Sequence, residues 1–222
     1  MGHVQPDGRP HPPLDGHRTK SVQCSHVNGV HLRSARDRIL EAARSLYARR
    51  GAEGVSMRKV AQAVGLTAPA IYRHFEAKDA LLEAVAETAF EVFARYLSRM
   101  DAGKTPRRRI EIAGDRYLDF ALEQPRLFEL AFLLPRRNVR RFPRDFAARR
   151  SRTGDMLREQ VEQCMRTGAF RRGDPLETAL TIWAHAHGLV VMYRAGRFGP
   201  GAASFRPLYR RSFQRLMRGL EP

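Results

Sequence analysis

The run from Val55 to Asp79 constrains the fold more than any other part of the chain, because it specifies two helices and the turn between them. Ser56 is placed to cap the first helix, and Val55 and Val60 have the spacing of a hydrophobic staple. Gly65 stands where a helix ends on a left-handed residue. The pattern therefore predicts a short helix that begins and ends at defined residues.

A second helix is predicted directly after the turn. Thr67 is placed to cap it, and Pro69 is tolerated in its first turn because the N–H groups there have no intrahelical partner. Ile71 and Phe75 recur on one face, which we expect to be buried. The residues expected to face outward are Thr67, Ala68, Ala70 and Arg73.

Two helices joined by a tight glycine-containing turn, with small residues at the start of the second, can enter a DNA major groove about 12 Å wide. Tyr72, His74 and Lys78 follow as donors that can reach flanking phosphates. The alternative is a hairpin in an ordinary helical bundle, with Tyr72 and Phe75 in the core and Lys78 solvated. Two helix caps, the glycine turn between them and the basic residues after the second helix occur together, and this combination favours DNA binding.

A wider pattern surrounds this run, from Ser34 to Leu82. It includes the apolar spacing of Ile39 to Tyr47, Gly51, Gly54, Ser56, the segment VAQAVGLTAPAIYRHF and Lys78 to Leu81. Together these residues resemble the N-terminal domain of the TetR family of transcriptional regulators. The resemblance implies an all-α homodimer whose N-terminal helix-turn-helix domains bind a palindromic operator in double-stranded DNA. It also implies C-terminal domains that dimerise and hold an unknown small-molecule effector, most often an inducer that releases a repressor.

The resemblance also assigns roles to individual positions. Residues implied to contact base edges are Arg58, Thr67, Ala68 and Ala70. Residues implied to contact phosphates are Ser56, Tyr72, His74 and Lys78, and Pro69 and Arg73 complete the DNA-binding set. Arg58 is the sharpest prediction, because arginine bound to guanine O6 and N7 discriminates between bases by about 1 to 3 kcal/mol. The alternative for Arg58 is a solvated surface arginine.

The net charge of +17 indicates a polyanionic partner. Lys and Arg outnumber Asp and Glu by 5 over residues 31–80 and by 11 over residues 81–222, so much of the charge lies outside the predicted DNA-binding part. One alternative function is therefore a nonspecific basic DNA-binding protein, with a steep salt dependence and little sequence preference. Another is a helical binding module or enzyme whose N-terminal domain is vestigial.

The chain is predicted to have three parts: a disordered N-terminal tail at 1–30, the helix-turn-helix domain at 31–80 and a helical regulatory and dimerisation domain at 81–222. The tail has no apolar stretch typical of a secretory signal, and its histidines are spaced too irregularly for a metal site. Two cysteines cannot form a disulfide framework, and no segment of about 20 apolar residues is present. We therefore expect a cytoplasmic protein with no membrane span, no metal and no cofactor.

Breaks in the sequence predict the next helices. A long helix from about Asp79 to Met100 carries an apolar stripe and would link the two domains, so that its tilt could set the spacing of the recognition helices. Pro106 and Pro125 begin two further helices, and another is expected from about Phe146 to Arg166. The basic run at 136–152 is interpreted as a solvated loop or helix face, with a ligand or DNA role as the alternative.

Asp174, Pro175 and Glu177 form a strong helix start. The helix that follows is apolar on nearly every side, which predicts burial within a domain or across an interface. Its segment from Trp183 to Gly188 resembles a C-terminal domain class of TetR-like regulators marked by a Trp and a His-Gly pair. That resemblance implies a four-helix dimer seam formed with the closing helix, about Ser204 to Arg218.

A ligand pocket is expected among the helices of the C-terminal half. The candidate lining residues are Tyr117, Phe120, Phe128, Phe132, Trp183 and His187, with core packing as the alternative for each. A metal site at His185 and His187 is disfavoured, because residues two apart on a helix point about 200° from one another. No motif places a nucleophile beside an acid and a base, so enzymatic activity is not expected.

Overall fold

The computed structural model describes residues 34–98, 103–199 and 201–222, and within these ranges it contains ten α-helices and no β-strand. They are α1 (Ala35–Gly54), α2 (Met57–Val64), α3 (Ala68–Tyr72), α4 (Lys78–Ser98), α5 (Pro106–Glu123), α6 (Pro125–Phe132), α7 (Arg144–Ala147), α8 (Arg152–Arg166), α9 (Pro175–Arg194) and α10 (Ala202–Gly219). The predicted all-α fold is confirmed, and the predicted tail at 1–30 lies outside the described residues. None of these helices is both long enough and apolar enough to cross a membrane.

Helix α1 begins at the predicted cap. The Ser34 hydroxyl accepts a hydrogen bond from the Asp37 N–H at 3.1 Å, and the Asp37 carboxylate accepts one from the Ser34 N–H at 3.2 Å. Helical geometry breaks at Gly51, whose φ of 67° is left-handed, and the chain makes one further turn to Gly54. The buried side of α1 packs against α2 and α4.

The turn between α2 and α3 has the predicted geometry at its glycine. Ser56 caps α2 through its hydroxyl, and Gly65 is left-handed with φ 69° and ψ 32°. The Leu66 N–H then donates to the Ala61 carbonyl at 3.0 Å, which closes the helix end. Thr67 occupies the cap position of α3, but its side chain makes no capping hydrogen bond, so that part of the prediction is wrong.

Helix α4 joins the helix-turn-helix to the rest of the fold. It packs against α1 on one side and against α5, α6 and α8 further along. Its buried stripe includes the predicted Leu81, Val85, Ala89 and Phe93. The hydrophobic core is continuous from α1 to α10, so the boundary at residue 80 stays a prediction, and it falls in the first turn of α4.

Helix α8 begins later than predicted. The segment expected to start it, from Phe146, forms the end of the short helix α7 and a turn. Arg149 has a φ of 53°, a left-handed conformation that ends a right-handed helix. Ser151 then caps α8 by accepting a hydrogen bond from the Gly154 N–H at 3.3 Å.

Helix α9 begins at the predicted cap, because Asp174 Oδ1 accepts hydrogen bonds from the N–H groups of Leu176 and Glu177. Within one chain it is not buried on all sides. The buried residues lie on one face and are Ala179, Ile182, Ala186 and Val190. On another face Ala184 is exposed and Met192 is 47% exposed. Burial within the domain therefore does not account for all of its apolar surface, and the role of this helix in an interface stays a prediction.

Gly65→Ala should lower the free energy of unfolding by about 1 to 2 kcal/mol, because an alanine Cβ is strained in the left-handed conformation. The control is Gly173→Ala: its φ is not left-handed and the nearest atom to an added Cβ is Met165 Cε at 3.9 Å. That substitution should stay within about 0.5 kcal/mol of wild type. Urea denaturation measures both, and equal losses would contradict the assignment.

Candidate nucleic-acid interface and ligand cavity

The outer surface of the helix-turn-helix contains most of the predicted DNA-binding residues. The exposed members are Arg58, Thr67, Pro69, Tyr72, Arg73 and His74, and the half-buried ones are Ser56, Ala68 and Lys78. Tyr72 is 52% exposed, which excludes the alternative that places it in the core. The structure thus leaves nine of the ten predicted residues at least partly accessible, on α2, α3 and the residues that flank these helices.

Ala70 is the exception on this surface. Its residue is 8% exposed, so the prediction that it faces outward is wrong. The inner face of α3 includes both Ala70 and Ile71, since neighbouring residues of a helix are about 100° apart and two of them can share one buried side.

The inner face of α3 is held by the core. Ile71 is fully buried and Phe75 nearly so, as predicted. The Arg36 guanidinium of α1 lies 5.0 Å from the centroid of the Phe75 ring, a cation–π contact between the start of α1 and the end of the recognition segment. The core therefore sets the orientation of the outer residues.

Positive charge on this surface is available to a ligand. In the part of the chain that the structure describes, no carboxylate forms an ion pair with Arg58, Arg73 or Lys78. Cations without an intramolecular partner can bind phosphates without first breaking an ion pair. This surface is therefore chemically suited to the backbone of a nucleic acid.

A cavity of about 240 Å³ lies among α4, α5, α8 and α9, beneath the segment that connects α6 to α8. Of the six predicted lining residues, the cavity is lined by Tyr117, Phe132, Trp183 and His187. Phe120 and Phe128 do not line it, because both are fully buried in the core behind it. For these two residues the core-packing alternative is correct.

The two histidines of α9 have different partners. The Tyr117 hydroxyl and His187 Nδ1 are 2.7 Å apart in the cavity wall, whereas His185 Nε2 is 3.2 Å from the hydroxyl of Ser212 on α10. Burial lowers the pKa of His187 and raises that of Tyr117, which keeps both groups neutral at pH 7. Across the described ranges, no group of three or more His, Cys, Asp or Glu side chains is arranged to hold a metal ion.

The basic run at 136–152 is not simply solvated. Arg136 and Arg140 both line the cavity and both bind Glu87 of α4, at 2.5 Å and 2.6 Å between nitrogen and oxygen. The Arg136 side chain is only 6% exposed, and its Nε also lies 3.4 Å from Glu83. The interpretation of this run as a solvated surface is wrong for these two arginines, because carboxylates on a distant helix pair with them.

The charge on Glu87 is stabilised by these contacts. Burial alone would raise the pKa of Glu87, but the hydrogen bonds from Arg140 and Arg136 outweigh it and lower the pKa below its usual value. The ionised carboxylate therefore connects α4 to the segment that covers the cavity.

Asp145 stabilises the conformation of the segment that connects α6 to α8. It is almost fully buried and accepts hydrogen bonds from the Arg141 N–H at 2.7 Å and from Arg144 Nε at 3.0 Å. The hydrogen bond from Arg144 and that from the Arg141 backbone lower the pKa of Asp145 to about 2. The carboxylate consequently stays ionised near neutral pH and fixes the turn between Arg140 and α8.

Sequence reasoning missed these arginines and also Gln160. Gln160 lines the cavity, and its Oε1 is buried with no hydrogen-bond partner in the structure. The sequence does show that the two arginines have the same spacing as the two glutamates: Arg136 and Arg140 are four residues apart, as are Glu83 and Glu87 on α4. Rules for side-chain pairs within one helix do not predict a pairing between residues about 50 positions apart.

These features define a class, the helical transcriptional regulators with an N-terminal helix-turn-helix and a C-terminal domain that encloses a cavity. Residues 39–85 match the family of bacterial regulatory proteins named tetR, and residues 110–220 match the tetracyclin repressor-like C-terminal domain. The chain belongs to the TetR family, whose members are DNA-binding transcriptional regulators and not enzymes. The narrower C-terminal class marked by a Trp and a His-Gly pair stays a prediction.

Individual relatives agree with this assignment. The HTH-type transcriptional repressor Rv1474c of Mycobacterium tuberculosis is 38% identical over 73 residues, which is 33% of this chain and 39% of that repressor. The match thus spans less than half of that relative's length. A protein of unknown function from Rhodococcus sp. RHA1 has a TM-score of 0.66 at 23% identity, over 88% of this chain and 100% of that one.

A third similar protein is AibR, whose crystal structure is a complex with isovaleryl coenzyme A and operator DNA. Its TM-score is 0.52 at 24% identity, with 83% of this chain and 96% of AibR covered. At this level of identity the likeness shows a shared fold.

His187 should titrate below pH 6.5 in the folded protein, because burial disfavours its charged form. A depressed histidine pKa adds stability above pH 6.5 that is lost as the pH falls through the folded value. NMR titration of the imidazole measures the pKa directly. His187→Gln should also flatten the fall in unfolding free energy as the pH drops below 6.5; a pKa above 6.5 would contradict the assignment.

Proposed function

We propose that this protein is a ligand-responsive transcriptional repressor that binds a palindromic operator as a homodimer and is released by a small-molecule inducer. One observation carries the proposal: a single helix, α4, begins directly after the open surface of α3 and then forms part of the cavity wall. The cytoplasm, where DNA is accessible, is the compartment that this function requires.

In the proposed complex, base edges are contacted by Arg58, Thr67 and Ala68. Phosphates are contacted by Ser56, Tyr72, His74 and Lys78. Pro69 and Arg73 lie beside residues of these two groups in the sequence and complete the proposed interface. The Ser56 hydroxyl can serve both roles, since it accepts the capping bond and can still donate its own hydrogen. Ala70 is buried beneath this surface and is not among the proposed base contacts.

The proposed dimer forms through α9 and α10. Exposed on α9 are Glu177, Thr181, Ala184 and Met192, which are spaced so that they share one face of the helix. An apolar helix with an uncovered face favours association with a second copy. Two copies present two recognition helices, which is why the operator is expected to be a palindrome.

The proposed coupling acts through α4. Phe90, Phe93 and Leu97 of this helix line the cavity, while its opposite end follows α3. A ligand that fits one tilt of α4 better than another shifts the population toward that tilt and changes the spacing of the two recognition helices. The repressor Rv1474c, and the AibR complex with a coenzyme A thioester and operator DNA, support a function of this kind.

Selection of bound duplexes from a random DNA pool at near-physiological salt should yield a palindrome. The paired half-sites should lie about one helical turn or a small multiple of it apart. The protein should also migrate as a dimer in size-exclusion chromatography with light scattering. Enrichment without a motif would instead support the nonspecific DNA-binding function that the net charge of +17 favours.

Arg58→Ala should weaken binding to the selected operator by about 1 to 3 kcal/mol and relax the preference at one base pair of each half-site. Lys78→Ala should weaken binding to all sequences alike and reduce the salt slope by about 1. Arg166→Ala is the control, because it removes an exposed positive charge from α8. Fluorescence anisotropy with operator and scrambled duplexes measures all three, and exchanged phenotypes would refute the assigned roles.

A further inference from the structure

We propose that the inducer is an amphipathic anion: its apolar chain occupies the cavity, and its acidic group displaces Glu87 from Arg136 and Arg140. This inference rests on the proposed function and adds to it the chemical class of the ligand and the contact that the ligand breaks. The acidic group is a carboxylate or a phosphate, which share the charge and the bidentate geometry that arginine binds.

The interior of the cavity selects an apolar chain. Its wall is formed largely by aliphatic and aromatic side chains, including Phe93, Leu97, Ile110, Leu157 and Trp183. Three further apolar side chains of the wall, Leu134, Val139 and Phe142, are also exposed to solvent. Apolar side chains of the wall are therefore accessible from solvent as well as from the interior, which suits the entry of an apolar chain.

Arg136 and Arg140 supply the positive charge in this wall. Their guanidinium groups lie 5.7 Å and 5.2 Å from the centroid of the Phe90 ring, which also lines the cavity. The aromatic contact orients the charges at the apolar surface. An amphipathic anion meets both requirements at once, because its chain and its acidic group contact adjoining parts of the same wall.

Arg136 has an unused donor. Its side chain is only 6% exposed, and its Nε lies 3.4 Å from Glu83 in an ion pair whose geometry does not make a hydrogen bond. A buried N–H group without a hydrogen bond is unfavourable, and an oxygen of an incoming carboxylate or phosphate would accept one. The Arg136 guanidinium can therefore bind a further anionic oxygen.

Displacement of Glu87 changes what restrains α4. Glu83 and Glu87 lie in the first three turns of this helix, immediately after the helix-turn-helix, and Arg136 and Arg140 connect them to the segment over the cavity. Glu87 is already 42% exposed, so water can solvate its carboxylate once the arginines bind the ligand. Of its polar contacts to this segment, α4 then loses those of Glu87 and keeps those of Glu83, which are the ion pair with Arg136 and the hydrogen bond from the Arg137 N–H.

The test compares decanoate, decyl phosphate and the neutral decan-1-ol on the full-length protein. Trp183 is the single tryptophan and lines the cavity, so its fluorescence reports occupancy. Wild type should bind at least one of the anions more tightly than decan-1-ol, and the tighter anion identifies the acidic group. Arg140→Gln should weaken that anion by about 10- to 100-fold and leave decan-1-ol within about twofold.

Two further variants complete the test. Glu87→Gln should strengthen anion binding, because it removes the competing carboxylate, and a misfolded protein could not give that result. Arg137→Gln is the matched control: its side chain is exposed and outside the cavity wall, and only its backbone N–H binds Glu83. It should bind all three probes like wild type.

The inference is overturned if no probe changes the Trp183 signal up to its solubility limit, if decan-1-ol binds as tightly as both anions, or if Arg140→Gln weakens all probes equally. Operator binding is assayed separately on the same proteins. A protein that selects a palindrome but fails these tests retains the proposed function without this ligand class. If anion binding depends on Arg140 but the protein selects no operator, the proposed ligand site is supported and the proposed repressor function is refuted.

Discussion

One buried stripe of α4 holds the N-terminal and C-terminal helices in a single core. Leu81 and Val85 are fully buried in this core, and Phe93 belongs to the aromatic cluster around the cavity. Each such side chain contributes about 1.5 to 3 kcal/mol when fully buried. The same helix begins directly after the helix-turn-helix and lines the cavity, so it is the physical connection through which the proposed coupling would act.

The charge of the protein divides into two populations with different physical roles. Around the helix-turn-helix, Arg58, Arg73 and Lys78 are left for an external anion. In the C-terminal half many arginines have intramolecular carboxylate partners: Arg206 binds Asp119 at 2.7 Å and Arg210 binds Asp115 at 2.8 Å. Each of these pairs is neutral as a unit, so the net charge of +17 comes from the basic residues in excess of the 23 Asp and Glu residues, and the pairs leave it unchanged.

Arg136 and Arg140 share properties with both groups of charges. They have carboxylate partners on α4, and they also line the wall of a cavity. The Arg140–Glu87 pair is partly exposed and contributes little net stability, so a competing anion can replace it at small cost. An interaction of this kind suits a contact that must form and break during regulation better than it suits a permanent structural support.

Features that depend on near neighbours in the chain could be predicted from the sequence. The Ser34 cap, the left-handed Gly65 and the Asp174 helix start are confirmed, because each satisfies backbone groups within a few residues. Local spacing and the resemblance to the TetR family together suggested ten DNA-binding residues, of which nine are exposed or half-buried, and their contacts to DNA stay a prediction. The sequence thus predicted the fold class and most of the accessible residues of the helix-turn-helix.

Features that depend on distant contacts became visible in the three-dimensional fold. It placed Ala70 inside, put Phe120 and Phe128 behind the cavity, and uncovered one face of α9. It also paired two arginines with glutamates about 50 residues earlier in the chain. Burial and ion pairing depend on which surfaces meet in space, and periodicity along one helix carries no information about the surface opposite it.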